Sequence, residues 1–214
     1  MNLSSPLSSL IPSLDAVALE LLAGTESALG ASRIHQLSRR GSRQGITNAL
    51  DRLVVHGLVT AEPTNHGAMY RLNREHLLTP SVILAADARR ELFRRLAAAC
   101  GSLSPAPLSV SLFGSVARGD STPDSDIDLL IVVDDDPSEI DSWIDGLHDL
   151  TLQVDAWTGN HLAAITHSTS HLTDLVRAGE PIVDSWTEDA VTIFGTDICA
   201  VFNHARGQAV DRLT

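Results

Sequence analysis

The stretch from Val110 to Val133 constrains this chain most. A largely apolar run, Val110 to Phe113, has the composition of a buried strand and stops at Gly114-Ser115. The residues after Ser115 can open a helix, whose first N–H groups lack partners and attract an anion. After the polar spacer Asp120 to Ser125, Asp126-Ile127-Asp128 leads into Leu129 to Val133. The two-residue period of a strand puts Asp126 and Asp128 on one face and Ile127, Leu129 and Ile131 on the other. Two strands are expected, with a phosphate-holding turn between them and paired carboxylates on the second.

Two other chemistries fail at named positions. Gly114 and Gly119 have the spacing of a Walker A loop, but Asp120-Ser121 stands where Lys-Ser/Thr is required. Asp124-Ser125-Asp126-Ile127-Asp128 imitates the start of a calcium loop, but Leu129 replaces the essential turn glycine. Arg118-Gly119-Asp120 matches an adhesion-type tripeptide and is read as coincidence.

Downstream, Asp134-Asp135-Asp136-Pro137 reads as a turn, and Ser138 to Leu150 as a helix. The alternation of Leu152-Gln153-Val154-Asp155-Ala156-Trp157 predicts a further strand. Asp155, opposite Val154, would then be a third carboxylate meeting the first two. Further helices are expected around Ala164, Leu172, Val176 and Ile182, and between Ala190 and Ala205. Alternating strands and helices give an α/β fold, a small mixed sheet layered with helices. His167 and His171 stand at i,i+4 with no third ligand evident and read as a helix surface. Trp143, Trp157 and Trp186 read as core or domain-contact residues, with Trp157 near enough to Asp155 to edge a nucleotide.

The first third reads differently. Residues 1–12 are rich in Ser and Pro and predict a flexible arm. Ser13 caps a first helix carrying Leu14, Val17, Ala18, Leu21 and Leu22; Ser32 caps a second with Ile34 and Leu37 inward. A third carries Ile46, Leu50, Leu53 and Val54 and stops at Gly57. Leu58 to Glu62 and Ala68 to Leu72 then flank a polar turn and predict a hairpin. Three helices followed by a hairpin resemble a winged helix-turn-helix domain. On that resemblance Arg39, Arg40, Ser42, Arg43, Gln44, Thr47 and Asn48 lie at the leading end of a recognition helix that meets double-stranded DNA, and Arg71 and His66 lie on the wing. The competing reading is a protein-docking or dimerisation module. The domains are expected at 13–78 (winged helix), 79–104 (bridging helix and linker) and 105–214.

Charge supports this division. The net charge is −12, yet up to Pro80 there are seven Arg against six Asp and Glu, so only the first third suits nucleic acid. The sequence contains no lysine, so arginine supplies its cationic side chains. Cys100 and Cys199 lack metal-site spacing and are expected as buried free thiols. No apolar run approaches the roughly 20 residues of a membrane helix, and no signal-peptide pattern is present, so a cytoplasmic protein with no membrane partner is expected.

The phrase Ser111 to Val133, with Gly114-Ser115, Arg118-Gly119 and Asp126-Ile127-Asp128, strongly resembles the nucleotidyltransferases of the DNA polymerase beta superfamily, in particular the minimal nucleotidyltransferases. The resemblance covers roughly 82 to 200. It implies that Gly114 and Ser115 hold the nucleotide's phosphates, with Arg118 a further contact. It also implies that Asp126, Asp128 and Asp155 ligate two Mg²⁺ ions, with Mn²⁺ able to substitute, and perform catalysis. The implied reaction moves a nucleoside monophosphate, AMP from ATP in first place, onto a hydroxyl of a protein or nucleic-acid acceptor, as in antitoxin-like modifiers. The alternative is a DNA-binding regulator whose nucleotidyltransferase fold senses nucleotide or docks a partner. A homodimer is expected if the winged helix reads a palindrome.

Overall fold

The computed structural model describes residues 1–211 except 66, 135, 136, 138 and 139, with side chains to Gly207. The expected wing residue His66, the turn at Asp135-Asp136 and the helix start at Ser138 therefore lie outside the described residues. The chain divides into two compact units, one holding Asn2 and Ser4–Arg89, the other Met1, Leu3 and Arg90–Thr214.

The first unit contains α1 (Leu14–Ala23), β1 (Leu29–Gly30), α2 (Ala31–Ser38), α3 (Arg43–Val55), β2 (Val59–Thr64), β3 (Gly67–Leu72) and α4 (Thr79–Ala86). Two helix starts have side-chain caps: Ser13 accepts from the Asp15 N–H, and Ser42 from the Gly45 N–H. The helical stripes meet in one core with Val17, Leu22, Ile34, Ile46, Leu50 and Leu53, and the strands add Val59, Tyr70 and Leu72. β2 and β3 form the expected antiparallel hairpin, and β1 pairs with the other side of β3. Residues 1–12 are not a loose arm throughout. Pro6–Ser9 form a 3₁₀ turn, and Leu7, 2% exposed, belongs to this core. The Ser/Pro composition concealed that apolar anchor.

The expected bridging helix is two helices. α4 stops at Ala86, and α5 runs from Ala88 to Cys100. In the second unit α5 is followed by β4 (Ser109–Phe113), α6 (Gly114–Arg118), β5 (Ile127–Val133), α7 (Asp141–Thr158), β6 (Leu162–Ser168), α8 (Thr169–Ala178), α9 (Pro181–Asp189), β7 (Val191–Gly195) and α10 (Ile198–Asp211). The sheet order is β6-β5-β4-β7. β4 is antiparallel to β5 and β7, whereas β5 and β6 are parallel and need a crossover, which α7 supplies.

β5 is buried on both faces, and the alternation of its side chains divides the core in two. Ile127, Leu129, Ile131 and Val133 face a cluster with Leu92 and Leu96 of α5 and Trp143, Leu150 and Val154 of α7. Leu130 and Val132 face Leu172, Val183, Trp186, Val201 and Phe202 of α8, α9 and α10. The unit is thus a sheet between two helical layers, an α/β fold. Leu130→Ala should lower unfolding stability by about 2–5 kcal/mol in denaturant titration, since the site is fully buried.

Four sequence expectations change here. Leu152 to Trp157 are the last turns of α7, not a strand. Trp143, Leu150 and Val154 sit at helical spacing, and that longer stripe overrides a six-residue alternation. The strand next to β5 is β6, so Ala164 is on a strand, not a helix. A further strand, β7, falls within the stretch expected to be helical from Ala190 to Ala205, with α10 following it. Cys100 is buried and its thiol pushed up to about 12 by burial, but Cys199 is exposed. No described helix is long and apolar enough to cross a membrane.

Candidate active site

The candidate centre lies where β4 ends and β5 begins. Phe113 pairs with Asp128 across the two strands, so the turn after Phe113 meets the start of β5. Gly114 takes a left-handed conformation there, φ +66°, and a Cβ on it would overlap Asp128 Oδ2 and stand 3.2 Å from Asp128 Cγ. Only glycine lets the backbone come this close to the carboxylate. Gly114 and Ser115 then form the first residues of α6, a helix of five residues.

Asp128 shares the sheet face of Leu130 and Val132 and is half-buried. Asp126 precedes β5 by one residue and is exposed, so it belongs to the approach loop instead of the strand. Burial raises the Asp128 carboxyl above its ordinary range, the Asp126 charge adds to this, and Arg118 opposes it. Arg118 is itself tied to carboxylates, donating from Nη1 to Asp189 at 2.7 Å and from Nε to Asp120 at 3.3 Å. These bonds raise its pKa.

The loop that carries Asp126 is fastened by a residue that no sequence motif singled out. Asn160, 4% exposed, donates from Nδ2 to the Pro123 carbonyl at 3.0 Å and the Ser125 carbonyl at 2.9 Å. The carbonyl of its neighbour His161 accepts the Ile127 N–H at 2.8 Å. A Gly-Asn pair between a helix and a strand was the available signal, since Asn in a turn can bond nearby backbone. Asn160→Ala is expected to lower the melting temperature and to weaken nucleotide binding, because two carbonyls lose their donor. Calorimetric titration beside a thermal melt checks both.

Asp155 does not join this centre. It is exposed on α7, and α7 covers the opposite sheet face, the one lined by Ile127, Leu129 and Ile131. On β6 the residue paired with Asp128 is Ala163, and the next on that face is Ile165. No group of three His, Cys, Asp or Glu among the described residues could hold a metal ion. Trp157 also lies away from the carboxylates, in the cluster on that opposite face, with the Arg95 guanidinium 5.5 Å over its ring.

In the first unit Arg39, Arg40, Ser42, Arg43, Gln44 and Asn48 are exposed around the α2–α3 turn and the first turns of α3, Arg71 is exposed on β3, and Thr47 is half-buried. Several are partly engaged. Ser42 caps α3, Thr47 Oγ1 donates to the Arg43 carbonyl, and Gln44 donates to Asn48 Oδ1 at 2.8 Å.

With this geometry in view, residues 93–177 match the family model described as a nucleotidyltransferase domain. The matched span runs from α5 into α8 and includes Gly114, Ser115, Asp126 and Asp128. No curated protein matches the chain. Among solved structures, the chain is similar to a toxin–antitoxin crystallised with AMP-PNP, at 14% identity over 56% of this chain and 92% of that chain, TM-score 0.37. A mutant of the MntA–HpeT toxin–antitoxin gives 12% identity, the same coverages and TM-score 0.37. TrmBL2, an archaeal chromatin protein with a novel mode of DNA binding, gives 14% identity over 86% of this chain and 75% of that chain, TM-score 0.31.

Proposed function

We propose that the second unit binds a nucleoside triphosphate with Mg²⁺ and transfers its nucleoside monophosphate, AMP in first place, to a hydroxyl of a protein or nucleic-acid acceptor, the new ester bond replacing the bond to pyrophosphate, which leaves as the hydroxyl gives up its proton. The observation that carries this reading is the close approach of left-handed Gly114 to half-buried Asp128, with Asp126 beside it, inside a stretch that matches the nucleotidyltransferase family. A half-buried carboxylate whose ionisation is made costlier by burial and by a neighbouring carboxylate suits a hard divalent cation, which takes oxygen ligands. Asp126 and Asp128 would hold it, with Mn²⁺ an alternative to Mg²⁺; such an ion supplies charge stabilisation at phosphoryl oxygens. The fit is to two carboxylates, not to the three implied by the family resemblance, because Asp155 lies on α7 and β6 offers Ala163 and Ile165.

The chain's own side chains then have separable tasks. Gly114 and Ser115 leave room for phosphate beside Asp128. Arg118 exchanges Asp189 and Asp120 for a phosphate oxygen, a trade that the planar guanidinium suits. Asn160 keeps the Asp126 loop in place. The test is incubation with α-³²P-labelled nucleotides, Mg²⁺ and candidate acceptors, with the labelled product read on a gel. Asp155→Ala should retain transfer within about two-fold, as for a surface substitution away from the centre. Loss of transfer in Asp155→Ala would return that residue to the site and contradict the reading.

A second reading is favoured by one observation, the lack of a carboxylate on β6 facing Asp128. On it the nucleotide site is a sensor, and the first unit is a winged helix-turn-helix that docks on duplex DNA through Arg39, Arg40, Arg43, Gln44, Asn48 and Arg71. Arg43→Ala with Gln44→Ala should weaken binding to a duplex library about ten-fold or more and flatten its salt dependence, since lost phosphate contacts release fewer counterions. Unchanged affinity and slope by fluorescence anisotropy would reassign this surface to protein docking.

A further inference from the structure

Away from the carboxylate centre, the second unit brings two histidines together on the same sheet face. His167 lies on β6 and pairs in register with Val132, four residues along β5 from Asp128. At about 3.3 Å per residue this is about 13 Å along the strand. His171 stands in the first turn of α8, and its N–H is accepted by the cap residue Ser168. The strand therefore turns into the helix within three residues, which folds the two imidazoles toward each other. Their ring centroids are 4.8 Å apart, with planes inclined by 41°. The i,i+4 spacing is thus split between a strand and a helix and is not a surface pair on one helix.

The surroundings select the ligand. Both rings line an open cleft of about 500 Å³ with Thr166, Ser168, Ser170 and Asp174. Asp174 is bound by Arg177 at 2.8 Å. His167 is half-buried against Trp186, 5.6 Å between centroids, and Trp186 is 1% exposed, so one ring is held by the core. Burial, and then the neighbouring His171, lowers the His167 pKa. Two imidazoles sharing one ion at about 2.1 Å per Zn–N bond, with an angle between square and tetrahedral, have centroids about 4.5–5.2 Å apart. The observed separation falls inside that interval.

We propose that His167 and His171 chelate one divalent transition-metal ion of the Zn²⁺, Ni²⁺ and Cu²⁺ group, whose remaining positions open into the cleft. Imidazole suits these ions and not Mg²⁺, so the site is chemically separate from Asp126 and Asp128.

The test uses the full chain freed of metal, with Mg²⁺ in excess to occupy the carboxylates. Zn²⁺ binding is followed by calorimetry and Co²⁺ binding by visible absorption. One ion per chain is expected in the tightest class, and His171→Ala and His167→Gln should each weaken it by about ten-fold or more. Zinc affinity altered by less than about three-fold in both variants, or no binding by the unaltered chain, overturns the site. Thermal melts separate metal loss from misfolding. Zinc should raise the melting temperature of the unaltered chain and leave that of His171→Ala, an exposed position, where it was. An equal rise in both counts against the proposal.

Discussion

Gly114→Ala is expected to abolish nucleotide binding and transfer, by about 100-fold or more, in a protein that still folds. The added Cβ would overlap Asp128 Oδ2, so either the carboxylate swings away or the left-handed turn flips, and both disperse the proposed nucleotide site. The left-handed backbone adds about 1–2 kcal/mol of strain for any residue with a Cβ. Gly179→Ala separates these effects. Gly179 has a similar φ, +69°, and a methyl group there would meet nothing within 4 Å, so it carries the strain without the overlap. Both variants should melt earlier, while only Gly114→Ala should lose Mg·ATP binding in calorimetry. Equal nucleotide binding in the two would remove Gly114 from the site.

Asp128→Asn is expected to have two effects of opposite sign. Transfer and metal-dependent nucleotide binding should fall by about 100-fold or more, since a ligand charge is lost. The nucleotide-free protein should become more stable near neutral pH. The sign follows from linkage: burial and Asp126 raise the folded-state pKa of Asp128 above its unfolded value. The stability this group contributes is therefore fully present below the unfolded pKa and lost as pH rises through the folded pKa. Asparagine removes that penalty. Melting temperatures of the two proteins should converge as pH is lowered through the carboxylate range and diverge above it. A variant less stable than the parent at neutral pH, without ligand, would show that Asp128 is stabilised by a partner and not strained by its neighbours.

Much of the centre was legible in local sequence because its parts are close together in the chain. Gly114 follows directly on β4 and Asp128 lies on β5, the next strand, so strand alternation and a glycine stop sufficed to bring them together. The first unit was legible for the same reason, since the Ser13 cap, the helical stripes and the hairpin are local signals, although Ser32 lies inside α2 instead of capping it and Leu37 is exposed. Asp155 was misplaced because a six-residue window satisfies both periods. Only the longer stripe Trp143, Leu150, Val154 and the parallel pairing of β6 with β5 decide for a helix.

The sequence alone determined the element order around Gly114 and Asp128, the strand that carries Asp128, and the exposure of the arginine-rich turn before α3, since each depends on side-chain period and turn chemistry within a few residues. Tertiary structure alone decided what lies beside them. The crossover through α7 brings Ala163 rather than a carboxylate to Asp128, puts Asn160 under the Asp126 loop, and turns His167 toward His171. The first two are long-range juxtapositions set by sheet pairing and core packing, and the third depends on where β6 gives way to α8, which periodicity in so short a stretch does not encode.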